Sequence, residues 1–112
     1  MPNESPSHQR FLTPQVINDA LQYQEDAVVS RELIHKTTGT ITFFAFDVQQ
    51  GLSEHTAPYD AFVLVTEGRA EIRVAGVAHE VKAGEMLLLP ANSPHALKAL
   101  DPFKMVLIMI KS

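Results

Sequence analysis

The chain has 112 residues, 46% of them hydrophobic and 20% charged, which is one domain's length and too apolar to stay disordered. It has no cysteine, so disulfides, thiolate zinc sites and thiol catalysis are excluded. Its net charge is −4 and its nine Lys and Arg residues are scattered, leaving no basic patch to replace phosphate counterions, so no nucleic-acid partner is expected.

The first ten residues are polar and include Pro2 and Pro6. Residues 1–10 are therefore expected to be a disordered tail, and residues 11–112 a single domain. The start of the chain has neither a basic stretch nor an apolar run of signal-peptide type. The longest apolar run, Met105 to Ile110, is too short to span a bilayer. No membrane partner and a cytoplasmic location are expected.

Thr13-Pro14 has the form of a helix start, with Thr13 as N-cap and Pro14 in the first turn. Val16, Ile17, Ala20 and Leu21 then recur at helical spacing, predicting a short N-terminal helix that ends near Tyr23. Everything beyond reads as strands and turns. Val28 to Ile34 precedes a Thr37-Thr38-Gly39 turn. Thr40 to Val48 carries Ile41, Phe43 and Ala45 on one face and Phe44, Phe46 and Val48 on the other. Ala61 to Val65 is closed by Glu67-Gly68. Ile72 and Val74 alternate with Glu71 and Arg73 before Ala75-Gly76 turns the chain back through Val77, His79 and Val81, as a hairpin. Met86 to Leu89, Ala96 to Leu100 and Phe103 to Ile110 supply three more strands, punctuated by Pro90, Pro94 and Pro102. Short strands and regular turns predict an all-β sandwich or barrel. Two strands, Thr40 to Val48 and Phe103 to Ile110, are apolar on both faces, and one interior covers only one of them. The uncovered face predicts a homodimer.

Two stretches carry more than a fold class. One runs from Gly51 through His55 to Gly68; the other is Gly84 to Ala99, containing Pro90, Asn92 and His95. Together they resemble the two motifs of the cupin superfamily, G-x5-H-x-H-x3,4-E-x6-G and G-x5-P-x-G-x2-H-x3-N. In the second motif Gly84, Pro90 and His95 fall at the family spacing. Asn92 stands at the family's third glycine, and Asn is the next best residue where a turn needs positive φ. Ala99 replaces the terminal Asn. In the first motif His55 matches the first histidine, but Gly51 lies two residues too near it. The second histidine position falls on Ala57 and the glutamate position on Ala61.

The resemblance implies a cupin double-stranded β-helix, a small RmlC-like jelly-roll barrel, with His55 and His95 inside its mouth. It also implies a cation held by three histidines and one glutamate, of which only His55 and His95 remain here. A single divalent transition metal (Zn, Fe, Mn or Ni) on that pair would need a third ligand. Asp60 and Glu54 are the candidates, although strict alternation turns Asp60 away from the cavity or to its rim. Ala57 and Ala61 in place of polar ligands leave volume and remove polarity, which suits an organic small-molecule ligand. Tyr59 shares their alternation and either presents its phenol to the cavity or sits at the rim.

The other histidines read as structural or solvated: His79 as a hydrogen-bonded strand residue, His35 and His8 as exposed. Met86, Met105 and Met109 read as core filler. Functions from different classes stay open, because the family hosts many chemistries. One is a ligand-binding or sensing module. Another is a metal-dependent oxygenase or isomerase acting on a small polar substrate. A third is a metal-free epimerase-like reaction with His55 as base and Tyr59 as acid.

Overall fold

The structure, a computed structural model, describes residues 10–111. The expected tail falls almost wholly outside that range. Arg10, its last residue, does lie inside it and donates from Nη2 to the Ala20 carbonyl at 2.9 Å.

Nine strands follow one another: β1 (Val28–Lys36), β2 (Gly39–Phe46), β3 (Gly51–His55), β4 (Asp60–Glu67), β5 (Arg69–Val74), β6 (Val77–Lys82), β7 (Met86–Leu89), β8 (His95–Ala99) and β9 (Phe103–Ile110). They form two antiparallel sheets. The first has the order β1-β2-β9-β4-β7 and the second β3-β8-β5-β6. Period-2 alternation sends Phe46, Val63, Val65, Phe103 and Met105 of the first sheet inward, against Ala70, Ile72, Leu97 and Ala99 of the second. Phe46 and Phe103 are Cα partners, both fully buried, and their rings stack 4.5 Å apart. Two sheets closed over one core in this way are the expected jelly-roll barrel.

The turns obey their residues. Ala75 and Gly76 both have positive φ, 49° and 82°, as a two-residue hairpin loop of the primed type requires. Ile72 pairs with His79 across that hairpin. His79 is nevertheless exposed on the edge strand, and its ring makes no hydrogen bond among the described residues, so it is solvated rather than structural. Met86 also departs from expectation. It lies 63% exposed on the outer face of β7, whereas Met105 is buried.

The expected N-terminal helix does not form. Two single 3-10 turns, Arg10–Leu12 and Ile17–Asp19, stand in its place. A helix this short nucleates at a loss in isolation, β-branched Val16 and Ile17 favour it little, and Asn18 and Asp19 compete for the backbone. Instead the segment lies as a strap on the outer face of the first sheet. Leu21 and Ala20 are buried, and Phe11 meets Phe43 edge-on with centroids 6.2 Å apart. Polar contacts pin it: Asn18 donates to the Thr66 carbonyl at 3.0 Å, Lys104 Nζ donates to the Asn18 carbonyl, and the Tyr23 hydroxyl donates to Glu67.

Burial, reinforced by the bond to Glu67 and by that carboxylate's charge, pushes the Tyr23 phenol well above its ordinary value. The folded state therefore favours the neutral phenol. The stability this contributes is complete below about pH 10, the unfolded phenol's range, and fades as pH rises beyond it. Tyr23→Phe is expected to cost about 1 kcal/mol at pH 7, a value reduced by partial exposure. The gap between the variants should narrow above about pH 10, which urea unfolding at pH 7 and pH 10.5 measures.

Candidate functional site

One end of the barrel keeps a cavity between the sheets. Its lining is Leu52, His55, Ala57, Tyr59, Ala61, Val63, Leu89, His95, Leu97, Met105, Leu107 and Met109. All five residues singled out in the sequence, His55, Ala57, Tyr59, Ala61 and His95, lie on this lining. Nine of the twelve lining side chains are apolar. The alternation of β9 that places Met105 in the core also carries Leu107 and Met109 along the cavity, so these methionines border open space as well as filling it. The free volume is about 50 Å³. A single water needs roughly 10–15 Å³ on this measure, so only a few non-hydrogen atoms fit without rearrangement.

His55 closes β3 and His95 opens β8, and the two are Cα partners across the pair of strands. How His55 comes to face inward is a matter of register. Leu52 pairs with Leu97 and His55 with His95, so three steps along β3 match two along β8. The extra residue is a β-bulge, and it turns His55 onto the face of Leu52. Glu54, one residue before, is left exposed outside. The two strands approach so closely that a Cβ on Gly51 would sit 2.0 Å from the Leu97 carbonyl oxygen. Only glycine fits there. Before His95, Asn92 has φ of 65° and its amide donates to the Ala57 carbonyl at 2.8 Å, tying the two motif segments together at the mouth. Asp60 points away from the cavity: its Oδ1 accepts the Ala91 amide at 2.9 Å.

The histidine rings meet at an angle of 70° with centroids 4.4 Å apart, and their Nε2 atoms are separated by 3.1 Å. Each Nδ1 lies against a backbone carbonyl two residues earlier, His55 on Ser53 at 2.8 Å and His95 on Ser93 at 3.1 Å. A carbonyl oxygen has no proton to give, so each Nδ1 carries the hydrogen and donates it. In that tautomer the Nε2 of each ring aims its lone pair at the other. Two facing lone pairs at that distance need an electrophile between or in front of them: a proton, a hydrogen-bond donor or a metal ion.

The spacing also tests the metal the family pattern implies. Two nitrogens held at 2.0–2.1 Å on one ion, at angles from octahedral to tetrahedral, lie about 2.9–3.4 Å apart. The pair fits two adjacent positions of a coordination sphere, and its anchored Nδ1 groups give it the outer hydrogen bonds such ligands use. Among the described residues, no group of three or more His, Cys, Asp and Glu side chains comes together to complete the sphere. Tyr59, the third polar side chain of the lining, is flanked on its ring face by Lys111, whose Nζ is 4.9 Å from the centroid.

Comparison with known proteins bears on the fold. The chain is 31% identical to a conserved protein of unknown function from Streptococcus pyogenes, with a TM-score of 0.87 over 89% of this chain and 88% of that one. It is 39% identical to a Cupin 2 conserved barrel domain protein from Leptotrichia buccalis, with a TM-score of 0.82 over 84% of this chain and 46% of that one. A cupin superfamily protein from Desulfitobacterium hafniense shares the fold at 24% identity and a TM-score of 0.86, over 89% and 92% of the two chains. No curated protein matches. No helix among the described residues is long and apolar enough to cross a membrane. The family profile described as "Cupin domain" matches residues 42–111, so the chain belongs to the cupin family.

Proposed function

We propose that this cupin binds a small organic molecule in the cavity centred on His55 and His95. The observation that carries this reading is the convergence of two anchored imidazoles on one point of an otherwise apolar cavity. Such a site recognises a ligand with an apolar body and one polar head. The head meets His55 and His95, with Tyr59 placed to add a hydrogen bond, while Ala57 and Ala61 leave room for the body. His95 is buried and His55 is exposed, so entry is from the His55 side.

A second reading, a metal-dependent oxygenase or isomerase acting on a small polar substrate, is favoured by the 3.1 Å spacing of the Nε2 atoms. On that reading His55 and His95 would hold the ion, which would supply Lewis-acid chemistry toward the substrate.

One experiment addresses both readings. Purified protein is titrated calorimetrically with a panel of short-chain acids, amides and alcohols, in chelator and then with Zn²⁺, Ni²⁺, Mn²⁺ or Fe²⁺. Binding in chelator supports the first reading; binding that requires metal supports the second. In either case His55→Ala/His95→Ala is expected to weaken binding at least about tenfold, the loss of the hydrogen bonds or metal ligands that the two imidazoles supply. The midpoint of urea unfolding should move little, because the pair lines a cavity rather than the packed core. Unchanged affinity in the double variant removes the pair from the site.

A further inference from the structure

The donor atoms around His55 and His95 differ in kind from the set the family pattern implies. Among the described residues no Asp or Glu lies on the cavity lining. Glu54 stands exposed outside, and Asp60 is tied to the Ala91 amide. The lining does carry sulfur, from Met105 and Met109 of β9. These two differ in place. Met105 pairs with Val65 and is buried in the core, whereas Met109 pairs with Ala61 and is only partly buried. Ala61 is the position at which the family pattern has its glutamate. Cross-strand partners hold their Cβ atoms about 5 Å apart, so the Met109 side chain starts beside the point from which that carboxylate would reach. Its unbranched chain of three rotatable bonds lets the sulfur turn toward the histidine pair.

Charge and softness then decide which ion such a set suits. As metal ligands, an imidazole nitrogen and a thioether sulfur are uncharged donors. A divalent ion held by them alone keeps its whole charge inside an apolar cavity. The cost of desolvating an ion grows with the square of its charge, so a dication costs roughly four times as much as a monocation of the same size. Lys111 adds to the bias, because its ammonium lies 4.9 Å from the ring centroid of Tyr59 on the cavity wall. Softness points the same way: thioether ligands select Cu(I), whereas Mn²⁺ and Mg²⁺ select carboxylate and water. The spacing permits a third donor. With metal–nitrogen distances near 2.0 Å, Nε2 atoms 3.1 Å apart subtend an angle of about 100°, a bent pair that leaves the ion open on one side.

We infer that the cavity takes a soft monovalent cation, Cu(I), with the Met109 sulfur as third ligand beside His55 and His95, in place of the divalent ion of the family pattern. The inference rests on the reading that the two histidines act together as one site. It changes the ion's charge and the residue that completes its sphere. Met109 is then a ligand rather than part of the apolar wall, and the loss of the glutamate at position 61 is what turns the site from a dication to a monocation.

An anaerobic titration of the full chain with Cu(I), kept reduced by ascorbate and held in competition with bicinchoninate, tests this beside a calorimetric titration with Zn²⁺. One Cu(I) per chain is expected, bound at least about a hundredfold more tightly than Zn²⁺. Met109→Leu keeps the side-chain volume and should weaken Cu(I) binding at least about tenfold while leaving the Zn²⁺ affinity unchanged. Met86→Leu, at a position 63% exposed on the outer face of β7, should change neither. X-ray absorption at the copper edge should show one sulfur neighbour in the wild type and none in Met109→Leu. Cu(I) bound no more tightly than Zn²⁺ overturns the inference, as does an unchanged Cu(I) affinity in Met109→Leu or a copper spectrum without sulfur. If such a result comes with organic-ligand binding in chelator intact, the failure is confined to the metal. Cu(I) binding that survives His55→Ala/His95→Ala overturns the histidine pair itself.

Discussion

Replacing Phe103 with alanine is expected to cost about 3–5 kcal/mol of folding stability, the range for removing a buried aromatic side chain. Against the roughly 5–15 kcal/mol total of a domain this size, such a loss lowers the thermal midpoint by on the order of 10–20 °C. Phe103 stands in the upper part of the range for three reasons. It is fully buried, it stacks face to face on Phe46, which is itself fully buried, and the sheets on either side leave the lost ring nothing to collapse onto. Phe103→Leu keeps much of the volume and should lose less. Val77→Ala, at a position 57% exposed, should move the midpoint hardly at all. Denaturant melts of the three variants give the ranking, and equal losses for Phe103→Ala and Val77→Ala would place the core elsewhere.

Much of this fold is legible in the sequence because strands bounded by turn residues leave a local record. Ala75-Gly76 marks its hairpin, and Asn92 marks a positive φ that only a few residues tolerate. The alternation of Ala57, Tyr59 and Ala61 marks the cavity face. The N-terminal segment is less legible, because its apolar spacing suits a helix as well as a strap. What decided between them was the outer face of a sheet formed later in the chain, which periodicity cannot see. The site was legible only as two histidines forty residues apart in the chain. Their meeting depends on the bulge between Leu52 and His55, and no composition signal announces a bulge there. Gly51 is the nearest hint: it is glycine because β8 passes too close for any side chain. Met86 and His79 depart from expectation for a related reason. Both lie on edge strands, where one face packs and the other is free, and an apolar or polar residue type alone does not say which face it occupies.

The largest functional effect is expected from restoring the two absent ligand positions, Ala57→His with Ala61→Glu. Ala61 is buried against the core cluster, so a glutamate there must give up its hydration or protonate. In chelator the double variant should therefore be less stable than the parent by several kcal/mol, the penalty for an unpaired buried carboxyl. The same carboxylate lies on the lining that His55 and His95 reach, as does residue 57. With the two native imidazoles already 3.1 Å apart at Nε2, the new pair would bring the donor count to four. A divalent ion then compensates the buried charge, and because it binds the folded state alone, its binding energy adds to stability. Excess Zn²⁺ or Ni²⁺ at 1,000 times its dissociation constant should return about 4 kcal/mol, visible as a rise in melting temperature absent from the parent. The single variants separate the contributions: Ala57→His should gain modest metal affinity without instability, and Ala61→Glu should be unstable and only partly rescued. Metal content measured after gel filtration should approach one ion per chain in the double variant. If the metal neither stabilises the double variant nor remains bound to it, positions 57 and 61 do not face the His55–His95 pair closely enough to share an ion.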